Sequence, residues 1–230
     1  MTVHSIPAPQ AITGVLLAGG QSRRMFAGAQ KGGDKGLLLI AGKPMLAHVI
    51  ERLRPQVGAM VINANGDPDR FGPFGLPVVA DTVTGHVGPL AGVLAGMRWS
   101  REHAPGARHI ATVSTDAPFV PGDLVARLSE RLGQHAIVLA ASAGEMHPVI
   151  GLWPVALADD LERALKDGVR KVLAWTDRHG RGSVEFPFLA VGGRQVDPFF
   201  NANTHDELEE AATLLTLEQY KQQDPSRRPT

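Results

Sequence analysis

The sequence of 230 residues contains no cysteine. Disulfide bonds, thiolate metal sites and a cysteine nucleophile are therefore all excluded. An excess of one charge is also missing, because 23 lysines and arginines balance 23 aspartates and glutamates. Such a chain lacks the broad basic field that draws proteins to nucleic acid or to anionic membranes. We therefore expect no nucleic-acid or membrane partner, and any cationic site must be local.

Long apolar segments are absent as well. No window approaches the ~18 consecutive apolar residues of a membrane span, and the opening MTVHSIPAPQ lacks the charged and apolar regions of a secretory signal. We therefore expect a soluble, cytoplasmic protein. Pro7 and Pro9 interrupt regular structure, so residues 1–12 are predicted to be a flexible leader. The polar residues 219–230 are predicted to be a disordered tail.

The most informative stretch that is present is TGVLLAGGQSRRM, residues 13–25. A predicted strand ends at Leu17 and leads into Gly19-Gly20 and then Arg24. Glycines leave backbone N–H groups accessible, and arginines supply positive charge, so a phosphate chain fits this turn. A tight strand-to-helix turn with solvated cations is the alternative explanation for a Gly-Gly pair alone.

The next motif supplies another cation. Asp34-Lys35-Gly36 is followed by an apolar run and then by Gly42-Lys43-Pro44, with Pro44 predicted to open a helix. Together, LAGGxSxRM, DKGLL and GKPM resemble the nucleotidyltransferases that move NMP from an NTP onto a phosphorylated acceptor. Arg24 and Lys35 are then expected to meet the β- and γ-phosphates.

Strand and helix patterns alternate along the rest of the chain. Strands are predicted at 13–17, 59–63, 77–81, 109–114, 136–141, 147–153 and 184–188, and helices at 44–54, 88–99, 121–132, 156–166, 169–178 and 204–217. This order predicts a single α/β domain over residues 13–218, with a mostly parallel, doubly wound, Rossmann-like sheet and a small antiparallel addition. Ligands bind such sheets at the carboxyl ends of the strands.

Three polar residues fall at predicted strand ends. Asp116 follows a buried strand in STDAPFVP, where a carboxylate suits Mg²⁺, although capping of the next helix is an alternative. Asp81 ends its predicted strand similarly: the resemblance to nucleotidyltransferases implies nucleotide binding, and the sequence alone equally allows a turn residue. Asn63, in VINAN, contacts a purine or ribose, or else ends its strand in a left-handed turn. GPLAG, residues 88–92, offers backbone donors at a helix start, with packing as the alternative.

The later segments narrow the resemblance to the molybdenum cofactor guanylyltransferase (MobA) family. Phe200-Asn201-Ala202-Asn203-Thr204 resembles the FxNxNT segment of that family, and His147-Pro148 resembles its HP pair. The resemblance implies that Asn201, Asn203 and, more weakly, His147 lie on the acceptor or metal side. Thr204 is also expected to cap the final helix with Glu207. No Ser-His-Asp or zinc-type spacing stands out among the nine histidines.

The resemblance implies Mg²⁺-dependent transfer of GMP from GTP to the terminal phosphate of molybdenum-molybdopterin, which yields the guanine dinucleotide cofactor and pyrophosphate. Arg24, Lys35 and Asp116 are the implied catalytic residues, and Asp116 is the implied metal ligand. The implied nucleotide-binding residues are Leu17, Ala18, Gly19, Gly20, Lys35, Asn63, Asp81 and Asp116. We expect a monomer that contacts molybdoenzyme chaperones or other cofactor-biosynthesis proteins transiently.

This sequence departs from the family pattern in one loop. FAGAQKGG, residues 26–33, lengthens the segment between Met25 and Asp34, which leaves Lys31 or Lys35 as the cation that reaches the phosphates. Lys35 is favoured because it keeps its place before Gly36. The alternatives are a molybdopterin cytidylyltransferase, a sugar-phosphate nucleotidyltransferase or a non-catalytic nucleotide- or cofactor-binding protein. Sugar-nucleotide relatives carry a proline before the lysine, where this chain has Asp34.

Overall fold

A seven-stranded sheet forms the centre of the computed structural model, which describes residues 7–18, 34–83 and 88–223. The strands are β1 Ile12–Leu17, β2 Leu39–Ile40, β3 Lys43–Pro44, β4 Ala59–Asn63, β5 Val78–Val79, β6 His109–Ser114, β7 Ile137–Ser142, β8 Glu145–Pro154, β9 Arg181–Glu185, β10 Leu189–Val191 and β11 Arg194–Val196. The helices are α1 Met45–Leu53, α2 Pro89–His103, α3 Leu124–Ser129, α4 Ala158–Lys166, α5 Val172–Thr176 and α6 His205–Gln223.

The strand order across the sheet is β5-β4-β1-β6-β8-β7-β9. β1 pairs in parallel with β4 and β6, β4 pairs in parallel with β5, and β7 pairs in parallel with β9, whereas β8 is antiparallel to both β6 and β7. This topology confirms the predicted mostly parallel α/β fold with an antiparallel addition. It also brings the ends of β1, β4, β6 and β7 to one side. We call this side the carboxyl edge; it contains Leu17, Asn63, Ser114 and Ser142.

Helices cover both faces of the sheet, and alternate residues of each central strand serve the two faces. In β1, Ile12 and Leu16 join the cluster that contains α1 and α3 side chains, whereas Val15 and Leu17 join the cluster that contains α2, α4 and α5 side chains. A strand buried on both sides is mostly apolar, and in β1 the one polar side chain, Thr13, shares a hydrogen bond with Ser100 at 2.8 Å. Each fully buried aliphatic side chain contributes about 1.5–3 kcal/mol.

Two tight hairpins are built on alanine-glycine turns. Ala143 and Gly144 have φ values of 53° and 77° and join β7 to β8, which confirms the predicted antiparallel pair. Ala41 and Gly42, with φ values of 47° and 80°, join β2 to β3. Positive φ at both central residues suits the twist of a two-residue hairpin. Pro44 therefore belongs to β3, where it pairs with Leu39 of β2. Helix α1 begins at Met45 instead of at the predicted Pro44.

A third apolar cluster joins α6 to the small hairpins beside the carboxyl edge. Its members include Ile40 of β2, Val191 of β10 and Leu214 of α6. The helix continues to Gln223, so the predicted disordered tail begins too early at residue 219. No proline or glycine interrupts residues 218–223, which are mostly good helix formers.

The flexible leader predicted for residues 1–12 includes residues that have regular structure. Residues Pro9–Ala11 form a 3₁₀ turn, and Ile12 begins β1 with a fully buried side chain. The apolar character of Ile12 therefore outweighs the preceding prolines. Among the described residues, no helix combines the length and the apolar character that a membrane crossing requires.

Candidate active site

Lys35 lies at the carboxyl edge and faces two polar side chains. Its Nζ donates to Oδ1 of Asn203 at 2.6 Å and lies 3.9 Å from Oδ2 of Asp116. The side chains of Lys35 and Asp116 are only 16% and 18% exposed. The structure thus brings together a cation, a carboxylate and an amide that lie far apart in the sequence.

Asp116 is held by its own strand end and by the segment before α6. Ser114 Oγ donates to Asp116 Oδ1, and the Ala202 amide donates to the Asp116 carbonyl at 3.4 Å. Helix α3 begins only at Leu124, with Asp123 at its N-cap position. The capping alternative for Asp116 is therefore wrong, and its carboxylate points to Lys35 instead.

A second polar group lies at the ends of β4 and β5. Asn63, which is 3% exposed, donates from Nδ2 to Asp81 Oδ1 at 3.0 Å and to the Val79 carbonyl at 3.2 Å. Asn65 Nδ2 donates to Asp81 Oδ2 at 2.8 Å, and the Asp81 amide donates to Asn65 Oδ1 at 2.9 Å. Both oxygens of Asp81 therefore accept from asparagine amides, which fixes this carboxylate at the edge. We call Asn63, Asn65 and Asp81 the asparagine–aspartate group.

Helix α2 approaches this group closely at Gly92. A Cβ atom there would lie 2.3 Å from Asn63 Oδ1 and 2.8 Å from a Leu17 methyl group. Only glycine leaves room for the Asn63 side chain in this position. GPLAG therefore serves packing against Asn63, and its role toward a ligand stays a prediction.

Residues 197–204, which we call the edge segment, run across the carboxyl edge. Asp197 accepts hydrogen bonds from Ser142 at the end of β7, and the Phe199 ring packs against His147 with a centroid separation of 4.7 Å. Farther on, Ala202 contacts Asp116 and Asn203 contacts Lys35. The edge segment therefore links the His147 region to the Lys35 region.

Ser142 lies between Asp197 and His147. Its Oγ is 2.8 and 2.9 Å from the two Asp197 oxygens and 2.6 Å from His147 Nε2. A hydroxyl has one proton to donate, and the carboxylate can only accept, so His147 Nε2 donates to Ser142. Burial lowers the pKa of His147, against the opposing effect of Asp197, Glu145 and Glu185. The Nε2–H group of His147 is thus directed at Ser142, which sets the orientation of the ring.

These residues do not form the nucleophilic arrangement of a serine hydrolase. There the histidine separates the serine from the aspartate, whereas here the serine lies between the other two. The sequence shows no Ser-His-Asp spacing, and the three residues that meet here do so without forming a hydrolase site. The cluster orients His147 at the edge.

The capping box predicted at the start of α6 is confirmed. Glu207 Oε2 accepts from the amides of Asn203 and Thr204 at 2.8 Å each, and the Glu207 amide donates to Thr204 Oγ1 at 3.3 Å. Partial burial alone would raise the pKa of Glu207, but these amide and hydroxyl contacts lower it overall. Nearby, Asn201 Oδ1 is buried and has no hydrogen-bond partner within the described ranges.

A family model for the MobA-like NTP transferase domain matches residues 14–181. A molybdenum cofactor guanylyltransferase of Bradyrhizobium sp. (strain ORS 278) is 49% identical over 211 residues, which cover 90% of this chain and 95% of the relative. Another, of Rhizobium meliloti (strain 1021), is 50% identical over 203 residues, covering 87% and 90%. The chain belongs to the MobA family of molybdenum cofactor guanylyltransferases. This confirms the family that the motifs indicated, and it makes the chain a nucleotidyltransferase.

Solved structures agree with the MobA fold. Molybdopterin-guanine dinucleotide biosynthesis protein A of Archaeoglobus fulgidus superposes with a TM-score of 0.64 at 23% identity, over 89% of this chain and 98% of that chain. The 4-diphosphocytidyl-2C-methyl-D-erythritol synthase of Anaerococcus prevotii superposes with a TM-score of 0.65 at 11% identity, over 89% and 96%. At these identities the likeness concerns the fold alone.

The predicted MobA site residues fall into distinct groups in the structure. Lys35, Asp116 and Asn203 meet directly. Leu17 lies beside them, because its carbonyl accepts from the Thr115 amide at 3.3 Å, and the Ala18 amide donates to the Asn63 carbonyl at 2.9 Å. The predicted Gly19, Gly20 and Arg24, the alternative Lys31 and the lengthened loop 26–33 lie outside the described residues.

Sequence reasoning missed several residues of the MobA edge. Ser114 lies in the motif STDAP and Asn65 lies in VINAN. Their polar side chains next to predicted site residues could have indicated a role at the site. Ser142 and Asp197 stand at a strand end and just before FFNANT. Arg70 lies in no motif.

Proposed function

We propose that this protein transfers GMP from GTP to the terminal phosphate of molybdenum-molybdopterin. An oxygen of that phosphate forms a bond to the α-phosphorus of GTP, and the bond from the α-phosphorus to the bridging β-oxygen breaks. The products are the guanine dinucleotide form of the cofactor and pyrophosphate. The observation that carries the proposal is the meeting of Lys35, Asp116 and Asn203 at the carboxyl edge, in a chain about half identical to named guanylyltransferases.

Lys35 is the cation for the triphosphate. Its side chain is mostly buried, and Asn203 fixes the ammonium by accepting a hydrogen bond from it, which leaves further N–H donors for phosphate oxygens. A charge fixed in this way stabilises the negative charge that develops on departing pyrophosphate without reorganisation at the moment of reaction. Positioning and charge neutralisation are the main protein contributions to phosphoryl chemistry.

The oxygen atoms at this edge fit Mg²⁺. Within the described residues, no group of three His, Cys, Asp or Glu side chains could hold a metal ion. Mg²⁺ does not need one, because it commonly takes one or two carboxylates and completes its shell with water and substrate phosphates. Asp116 would supply the carboxylate, and the unpartnered Asn201 Oδ1 is a neutral oxygen of the same hard type. When bound, Mg²⁺ neutralises charge on the triphosphate.

The remaining predicted residues divide between the two substrates. Asn63 and Asp81 are held together at the ends of β4 and β5 and are proposed to face the nucleoside of GTP. His147 and Asn201 are proposed to face the pterin. Arg24, Gly19 and Gly20 are also proposed to bind the triphosphate.

The test is a reconstituted reaction with purified protein. Pyrophosphate release and GMP incorporation are measured with molybdenum-molybdopterin, GTP and Mg²⁺, and again with each component omitted. Turnover that requires all three supports the proposal. A clear preference for CTP over GTP would assign the cytidylyl reaction, and GTP binding without turnover would assign a binding protein.

We also propose that the enzyme acts as a cytoplasmic monomer that meets molybdoenzyme chaperones transiently. Sedimentation of the purified protein tests the first part, because a dimer at working concentration contradicts it. Cell fractionation and chemical crosslinking to molybdoenzyme chaperones test the rest.

A further inference from the structure

The guanidinium group of Arg70 joins two separate parts of the candidate site. Its Nε donates to the Asp34 carboxylate, and its Nη1 donates to the Asp67 carbonyl. Its Nη2 donates to the Asn65 carbonyl at 2.7 Å, and the group lies 4.5 Å from the centroid of the buried Phe71 ring. The planar fork of arginine thereby binds acceptors on two segments that are distant in sequence.

Asp34, the first of these partners, immediately precedes Lys35. It occupies the N-cap position of the 3₁₀ turn Lys35–Leu37, yet its side chain makes no capping hydrogen bond. The carboxylate pairs with Arg70 instead, and the two side chains are 19% and 26% exposed. The contact therefore anchors the chain just before Lys35.

A second anchor follows Lys35 directly. A Cβ atom on Gly36 would lie 3.0 Å from both Cβ and Oγ1 of Thr115, so the backbone at Gly36 packs tightly against the end of β6. Lys35 is thus bracketed by Gly36 against Thr115 and by Asp34 against Arg70. These two contacts hold the backbone from which the Lys35 side chain extends to Asn203.

The Arg70 side chain also reaches the nucleoside side. Asn65, whose carbonyl accepts from Arg70, uses its side-chain amide to hold Asp81, and Asp81 in turn holds Asn63. A series of polar contacts therefore runs from Asp34, the residue before Lys35, through Arg70 to the asparagine–aspartate group. One end adjoins the proposed triphosphate contact, and the other end is the proposed nucleoside contact.

We infer that Arg70 is a positioning residue for nucleotidyl transfer: by holding Asp34, it sets Lys35 at a fixed distance from the asparagine–aspartate group. This inference rests on the proposed function. The triphosphate and the nucleoside of one GTP molecule are then bound in a single geometry. Misplacing a reacting group by about 1 Å can cost about 100-fold in rate, so the spacing matters to catalysis.

The test compares Arg70→Gln with Arg98→Gln. Arg98 pairs with Glu162 between α2 and α4, and those side chains are 25% and 23% exposed, so both variants lose an ion pair of similar burial. We expect Arg70→Gln to lower kcat/KM for GTP by about 10- to 100-fold and to reduce the ratio of GTP to GMP affinity. KM for molybdopterin and all values for Arg98→Gln should stay unchanged. Arg70→Lys should not rescue, because one ammonium cannot bind all three acceptors.

A double-mutant cycle with Asp34→Asn separates this role from simple support of residues 65–74. If Arg70 acts through Asp34, the double variant is no worse than the more damaged single variant. Losses that multiply, or an unchanged GTP to GMP ratio in Arg70→Gln, would overturn the inference. Wild-type protein without GTP turnover is a different result, which rejects the proposed function itself.

Discussion

Lys35 Nζ and Asn203 Oδ1 meet at 2.6 Å although 168 residues separate them in the chain. The contact depends on the edge segment, which Asp116 and Glu207 hold in place through the amides of Ala202 and Asn203. The orientation of the lysine is therefore a property of the complete fold and not of its motif alone.

Lys35→Met should lower guanylyl transfer by at least about 100-fold, because a fixed cation for the departing pyrophosphate is lost. Lys43→Met is the matched control, since Lys43 pairs with Glu51 on the surface with exposures of 45% and 56%. Initial rates of pyrophosphate release measure the effect. Equal rates in the two variants would contradict the role of Lys35.

Asp116→Asn should reduce turnover by at least about two orders of magnitude while the fold is kept, since the shape is unchanged and only the charge is lost. Asp123→Asn, an exposed carboxylate in the following loop, should have normal activity. The variants are compared over a Mg²⁺ titration. A normal Mg²⁺ dependence in Asp116→Asn would reject the metal assignment.

Gly92→Ala should weaken GTP binding. The new methyl carbon would lie 2.3 Å from Asn63 Oδ1, which is too close, so the Asn63 side chain would have to move. Gly96→Ala, one turn later in α2, meets the Val15 side chain at 2.6 Å and is the control. Both changes should destabilise the protein by about 1–3 kcal/mol through overpacking. Only Gly92→Ala should raise the Kd for GTP in calorimetry, and equal Kd values would show that Asn63 does not contact the nucleotide.

Ser142→Ala should destabilise the fold by about 1–3 kcal/mol, because Asp197 loses a donor and His147 loses an acceptor. Ser183→Ala, exposed on β9, should have little effect. Urea unfolding gives the free energies. We also expect Ser142→Ala to raise KM for molybdopterin and not KM for GTP, so an unchanged pterin KM would remove His147 from the acceptor side.

Acidification should destabilise the protein through His48, whose side chain is 4% exposed. Burial lowers its pKa from 6.5, although the hydrogen bond to the Ile40 carbonyl opposes this shift. Below the unfolded pKa, the unfolded chain binds a proton that the folded chain excludes, so stability falls as the pH decreases through 6.5 toward the folded pKa.

His48→Gln keeps a donor for Ile40 but does not titrate. We expect its free energy of unfolding to decrease less than that of wild type between about pH 7.5 and pH 5.5. Parallel slopes for wild type and His48→Gln would contradict the prediction.

The central strands could be predicted from sequence because they are apolar on both faces. The bounds of β4 and β6 agree with the prediction. The hairpins β2–β3 and β10–β11 have strands of only two or three residues, which is too short for a periodic pattern. Their stability comes from packing against α6, and this tertiary contact leaves no pattern in the local sequence.

In the candidate site, too, some residues could be predicted from local sequence and others depend on tertiary contacts. The location of four site residues followed from the predicted topology, because each lies at a predicted strand end or in a motif. They are Lys35, Asp116, Asn63 and Asp81. The partners of Arg70 and Ser142 are decided by tertiary contacts across 36 and 55 residues. Pairings at such separations leave no local sequence pattern.

The edge segment also constrains when activity can arise during synthesis. The strands β1, β4 and β6 leave the ribosome long before residue 203, so the sheet can assemble around an incomplete lysine pocket. A nascent or truncated polypeptide that stops short of the edge segment lacks the acceptor for Lys35 and should be unable to make the dinucleotide.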